Sequence, residues 1–340
     1  MKHAAILIGL WLALISLLTQ PACAAEAKWG AIDKTGKLVI KAQYDNLQPF
    51  AEGLALAEIA GKWGYIDTKG KTVVPATFAG GNSFADGLAC VKRDQKWGFV
   101  DKTGKIVIPA RFDDESWFSE GLARAKVGKK FGFIDKQGKE VIKPQYDYAF
   151  SFADGLAPVV IDGKQGFIDR AGKLAIKPQF EVSKEHVFLN SFSGGLANVK
   201  KDGHWGFIDK TGKLVIPFQF VNAYPFSAGL APVEVSGQWG YTDATGKLTI
   251  KPQFAAAGSF SEGLAPVQQA GKWGAIDQSG RWVIKPTYDN LSSYSEGLAP
   301  AEQKGLMGFL DRTGKSVIKP AYRFAYQFGS GLAAVQLTGN

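Results

Sequence analysis

Cysteine and histidine are nearly absent, with two cysteines and three histidines in 340 residues. Zinc fingers, haem sites and Cys–His nucleophiles are therefore poorly supplied, and a disulfide framework lacks its pairs. Proline is sparse at 15 residues. The apolar stretch Ala4 to Leu18 stops at Thr19-Gln20-Pro21, short of the about 20 residues that a membrane-spanning helix needs. Acidic residues are too few to balance the basic ones, 31 against 40. What is abundant points the other way. A hydrophobic share of 46% excludes a disordered chain. At roughly 150 residues per domain the length suggests two domains, unless a repeat makes that count meaningless.

The first 25 residues read as a signal peptide. Lys2 and His3 give a basic start, Ala4 to Leu18 the apolar core, and Pro21-Ala22-Cys23-Ala24-Ala25 the small residues of a cleavage site. Cleavage is expected after Ala24 or Ala25, leaving a mature chain without a transmembrane anchor, periplasmic or secreted. Lipoprotein processing at Cys23 is the alternative, although Gln20-Pro21-Ala22 lacks the branched apolar residue usual before such a cysteine. Cys90 is then the one cysteine of the mature chain, and a buried thiol is expected there.

Residues 26–340 read as one domain of nine units, starting near 29, 63, 97, 131, 165, 205, 239, 273 and 307. The glycine of a Trp-Gly dipeptide recurs at Gly30, Gly64, Gly98, Gly132, Gly166, Gly206, Gly240, Gly274 and Gly308, spaced by 34 residues except for one interval of 40. Three residues after it stands an aspartate in every unit, Asp33 to Asp311; six after it a glycine followed by Lys or Arg; fourteen after it Tyr or Phe. A Gly-Leu-Ala triplet closes each unit, with an aromatic three residues before its glycine.

Glycines at three fixed places leave no stretch long enough for the helix pair that other 34-residue repeats use. The intervening segments, such as Lys105-Ile106-Val107-Ile108, are short and β-rich, and Asp101-Lys102-Thr103-Gly104 has the residues of a type I turn. The expected fold is all-β, each unit a three-stranded antiparallel meander, with the nine stacked into a superhelical solenoid. A closed propeller-like ring is the alternative, because neither end carries a polar cap.

The string Lys-Trp-Gly-Phe-Ile-Asp-Lys-Thr-Gly-Lys resembles the core of the WG-repeat (KWG-repeat) family, and the resemblance runs from Trp29 to Asn340. Phe131, Gln165 and Met307 depart from it in the tryptophan column. The family implies a repeat scaffold and brings no catalytic residue, cofactor or metal ligand.

A residue present in every unit is expected to stack on its neighbouring copies, so the tryptophans read as core and the aspartates as caps of their own turns. Cations at the first hairpin tips, including Lys34, Lys37, Lys102, Lys105, Lys136, Lys139, Lys210 and Lys213, would form a rim that focuses positive potential. The net charge is +9, or +8 without Lys2. Symmetry breaks at the six-residue insertion within 181–190, which holds Lys184 and His186, with Gln165 in place of tryptophan in the same unit. Insertions of this kind map to loops, often on a binding face. The expectation is a monomeric, exported, non-enzymatic scaffold for a protein partner in the cell envelope. Binding of anionic envelope glycan or lipid headgroups through the basic tips is the alternative; a nucleic-acid partner is not expected.

Overall fold

The computed structural model describes residues 27–114, 116–182 and 191–338. The expected signal peptide, and Lys184 and His186 of the insertion, lie outside the described residues. The described chain is all-β, and its nine repeats make small antiparallel sheets. None of its elements is a helix long and apolar enough to cross a membrane.

Five of the sheets have four strands rather than the expected three and two have seven, and they straddle the repeat boundaries. In the first sheet the order is Asn46–Leu47, Leu54–Ile59, Lys62–Asp67, Thr72–Phe78. The closing Gly-Leu-Ala strand of one unit thus pairs with the Trp-Gly strand of the next, with Leu54 opposite Asp67 and Ile59 opposite Lys62. Ala60 and Gly61 turn between them, both with positive φ, the backbone of a two-residue hairpin that matches strand twist. The additional strand is two residues long, Asn46–Leu47 against Ala57 and Glu58. It is too short to show an alternating pattern in the sequence.

The Trp-Gly glycine is dictated by its neighbour strand. Trp63 faces Phe78 but Tyr65 faces Val74, so the outer strand carries extra residues and bulges over Gly64. A Cβ on Gly64 would lie 2.4 Å from the Val74 carbonyl oxygen and 2.7 Å from the Ala76 nitrogen. Outer strands bear prolines and exposed lysines, as in Leu248–Phe254 with Lys251 and Pro252, which blunts edge-to-edge pairing.

The core lies between successive sheets. Tyr65 meets Phe84 of the next sheet at 4.9 Å, Phe99 meets Phe118 at 4.9 Å, and Phe133 meets Phe152 at 4.8 Å, all edge to face. Each such pair contributes about 0.5–1.5 kcal/mol beyond the area it buries. The aromatics before Gly-Leu-Ala therefore stitch sheet to sheet. Trp205 is 2% exposed, in accord with a core role, whereas Trp63, Trp97 and Trp273 are only half-buried. Cys90 is a buried thiol outside any disulfide, as expected.

The ends of the repeat array meet. Trp29, Gly30, Ala31 and Ile32 pair with Gln336, Val335, Ala334 and Ala333. The core across this junction joins Trp29, Tyr44 and Ala334 to Leu47, Phe50 and Ala57. The Tyr322 hydroxyl donates to the Gly36 carbonyl, as that of Tyr146 does to Gly172 one sheet further on elsewhere in the chain. The first strand, Trp29–Ile32, and the last, Ala333–Leu337, thus lie side by side in one seven-stranded sheet.

Candidate functional site

Most repeated polar residues are consumed by the architecture. Asp33 Oδ1 accepts hydrogen bonds from the amides of Thr35 and Lys37 at 2.9 and 3.1 Å and from the Thr35 hydroxyl at 2.6 Å. Its counterparts through Asp311 accept from the same two amides, and five of them from a Thr or Ser hydroxyl as well. The Thr35 hydroxyl, followed by the two amides, holds the Asp33 carboxyl below its usual range, and Ser279 draws that of Asp277 down to about 2. A second acidic column links sheets: Asp45 binds the Lys28 ammonium and the Ala60 amide. A third stands in the turn before Gly-Leu-Ala, where the Glu52 carboxylate accepts from the Gly87 amide and Asp86 from that of Gly121.

These turn carboxylates also meet the predicted basic tips. Lys34 pairs with Glu296 at 3.2 Å, Lys102 with Glu52 at 2.9 Å, and Lys136 lies 3.9 Å from Asp86. The first cation of these three tips thus faces a turn carboxylate of another unit, an exposed pairing worth little in energy. Lys37, Lys105, Lys139 and Lys213 are exposed at the start of their outer strands and make no ion pair among the described residues. Lys210 is exposed as well. Gln165 is buried at 1% exposure, opposite Val160 and Phe180, and the structure does not bring it together with the tips.

The concavity that does stand out lies on the short-strand side, mostly at positions the repeat leaves free. Gln48, Leu56, Trp63, Asn82, Ser83 and Trp117, from three successive sheets, line a cavity of about 500 Å³. Trp117 is also a wall of a second cavity of about 170 Å³, shared with Arg124, Phe150, Ser151 and Ser191. The indole is 37% exposed, so it stands between the two spaces.

Arg124 is the unusual member. Its position in the Gly-Leu-Ala strand is filled by Leu56, Cys90, Pro158 or Pro232 in other units, and its side chain is 7% exposed. Nη1 donates to the Tyr148 hydroxyl at 3.0 Å and to the Ala149 carbonyl at 3.3 Å. The rings of Trp117, Phe131 and Tyr148 lie 5.8, 5.6 and 5.3 Å from the guanidinium carbon, within cation–π range. Asp114 Oδ2 lies 3.7 Å from Nη2 and balances its charge. Asn198, in the same column, is fully buried and donates to the Ala223 carbonyl at 2.9 Å. Sequence reasoning that weighed only repeated columns passes over Trp117 and Arg124. The available signal was the substitution itself, an arginine where eight other units have none and a tryptophan among Pro49, Ser83 and Ser151.

The described residues hold no cluster of three or more His, Cys, Asp or Glu placed to bind a metal. The site instead combines apolar walls with amide, hydroxyl and guanidinium groups, the chemistry of reversible binding.

Comparison with known proteins accords with the repeat count. The family described as WG containing repeat matches nine consecutive times, at residues 29–63, 63–97, 97–131, 131–164, 166–204, 205–239, 239–273, 273–306 and 307–340. No curated protein matches the chain. Among solved structures, a eukaryotic initiation factor superposes with a TM-score of 0.61 at 10% identity, covering 92% of this chain and 99% of that one. Hsv2p of Kluyveromyces lactis gives 0.43 at 8% identity over 76% and 97% of the two chains. Virginiamycin B lyase of Staphylococcus aureus gives 0.37 at 12% identity over 92% and 100%. The first of these likenesses shows a shared fold and nothing of activity.

Proposed function

The chain belongs to the WG-repeat family, and on that premise we propose that it is an exported, non-enzymatic scaffold, a closed nine-bladed ring that holds a protein partner at its short-strand side in the cell envelope. The closed ring is supported by the pairing of Trp29–Ile32 with Ala333–Gln336. The observation that carries the binding role is the convergence of repeat-independent side chains, Gln48, Asn82, Ser83, Trp117, Arg124, Ser151 and Ser191, on two cavities with a common wall. Aromatic and arginine anchors in a concave, partly desolvated patch are the usual hot spots of protein interfaces.

The test is photo-crosslinking in cells, with the reactive residue placed at Ser83 or Ser151, and at Lys41 on an outer strand as the control. One discrete adduct from both inner positions, absent from Lys41, is the expected result. Adducts equally abundant at Lys41, or none from the inner positions, overturn the reading. N-terminal sequencing of the same material is expected to begin at Ala25 or Glu26, and a chain still starting at Met1 removes export from the proposal.

A second reading, binding of anionic envelope polymers, is favoured by the exposed Lys37, Lys105, Lys139 and Lys213, which lack ion pairs among the described residues. It requires affinity for isolated envelope fractions that falls steeply with salt, because the screening length shrinks to about 8 Å at 0.15 M. Salt-independent co-sedimentation counts against it.

A further inference from the structure

We infer that the small cavity beside Arg124 receives one aromatic side chain of the partner, tyrosine above all, while the adjoining partner segment lies in the larger cavity across Trp117. This inference rests on the protein-partner reading and names the chemistry that the same site selects.

Size is the first argument. A cavity of about 170 Å³ is close to the roughly 150 Å³ of an engineered protein cavity that binds benzene. It therefore admits one six-membered ring and little more. The neighbouring space, about 500 Å³, is three times larger and suits an extended stretch of backbone with its side chains.

The walls decide which ring. Trp117 and Phe150 present apolar surface, and the hydroxyls of Ser151 and Ser191 are the small polar groups beside them. A pyranose of the same size carries several hydroxyls, each of which needs a partner once desolvated. A tyrosine has one, which the two serines match. Arg124, which lines the same cavity, adds attraction for a π face, since a guanidinium is drawn to the face of an aromatic ring. Asp114, 3.7 Å away, balances the guanidinium charge, so an anionic ligand finds no uncompensated cation there. A neutral ring asks for none.

Arg124 is also poorly explained by stability alone. Burying a charge is costly before its pairing is counted, and well-packed apolar residues in its place are often neutral or stabilising. Leucine, cysteine, proline and alanine fill the same position in seven other units, and the strand forms with each of them. An arginine retained beside a ring-sized cavity fits recognition better than packing.

Three probes test this by ligand-observed NMR and calorimetry on the whole protein: N-acetyl-tyrosinamide, methyl glucopyranoside and acetate. The wild-type protein is expected to bind N-acetyl-tyrosinamide in the millimolar range and neither of the others. Ser151→Trp, which fills the cavity from its rim, abolishes that binding. Arg124→Met, which keeps length and removes charge, weakens it about tenfold, the order expected of a partly desolvated cation–π contact. Should the Arg124→Met protein fail to fold, Ser151→Trp decides alone, since it alters only a half-buried rim position. Binding of the glucoside or acetate in place of the tyrosine probe overturns the inference, as does tyrosine binding indifferent to Ser151→Trp, or no probe binding at all. Crosslinking from Ser83 separates the two levels. An adduct that persists in the Ser151→Trp protein sinks the aromatic anchor and leaves the scaffold standing. An adduct lost with that variant supports both, and none in the wild-type protein overturns the scaffold whatever the probe does.

Discussion

Two glycines of the same sheet are required for different physical reasons, and replacing each by alanine separates them. Gly229 lies in the turn before Leu230 with φ +84°, and a Cβ there would meet nothing within 4 Å. Gly229→Ala therefore adds only left-handed strain, about 1–2 kcal/mol. Part of this is offset by the roughly 0.4–1 kcal/mol gained from a stiffer unfolded chain, leaving a net loss of about 1 kcal/mol. Gly240 has an ordinary φ, but its Cβ would lie 2.5 Å from the Ile250 carbonyl oxygen, 2.7 Å from the Pro252 nitrogen and 2.9 Å from the Lys251 carbonyl carbon. All three are backbone atoms of the outer-strand bulge, and side-chain repacking cannot relieve them. The bulge must retreat or the strand must unpair, so Gly240→Ala is expected to cost about 3 kcal/mol or more, the upper range of overpacking. At roughly 2–4 °C per kcal/mol for a large domain, the midpoints should fall by about 2–4 °C for Gly229→Ala and about 6–12 °C for Gly240→Ala. Repeat proteins lose two-state behaviour readily, so calorimetry is to be paired with amide exchange of Ala231–Val235 and Gln238–Thr242. Equal losses for the two variants, or a Gly240→Ala midpoint within 2 °C of wild type by that same scale, would refute the close-approach argument.

Acidification should unfold the protein through its turn aspartates. The Ser279 hydroxyl holds Asp277 at about 2 when folded, below the roughly 3.9 of a free aspartate. Its contribution is therefore complete above pH 4 and is lost as pH falls towards 2; Asp277→Asn should lower the urea midpoint at pH 7 and flatten its fall below pH 4, and parallel curves would contradict this. Trp205→Ala, at a site 2% exposed, should cost about 3–5 kcal/mol in urea unfolding, and the half-buried Trp63 clearly less; equal losses would deny that the column divides into core and surface members. Removing residues 329–340 takes away the partner of Trp29–Ile32, and X-ray scattering should then report an expanded particle if the chain is a ring, whereas an unchanged radius speaks for an open superhelix.

The legibility of this chain followed its periodicity. The aspartates could be read as turn caps because nine copies of the same local chemistry sit two and four residues from their own amide donors. The aromatic columns could be read as core for a similar reason, although Trp63, Trp97 and Trp273 are only half-buried. The phase of the sheets was hidden, because the strand pairing Leu54–Ile59 with Lys62–Asp67 crosses the boundary that the Trp-Gly dipeptide suggests. Asn46–Leu47 left no pattern, being held by two residue pairs alone. The meeting of the ends depends on curvature summed over the whole array, which no single unit encodes. Trp117 and Arg124 were overlooked for the opposite reason. Each occurs once, and their proximity comes from the folding of a short-strand segment against a neighbouring strand.

The offset between unit and sheet also bears on how such a chain changes its copy number. Most units open in the third strand of one sheet and close in the second strand of the following one. Duplication or loss of any 34-residue length, wherever the break falls, therefore adds or removes one whole blade and leaves every junction with the same complementary halves. Gene-level slippage can thus resize the assembly by whole blades without a new seam having to evolve, while single-copy residues such as Arg124 keep one sector distinct from its duplicates.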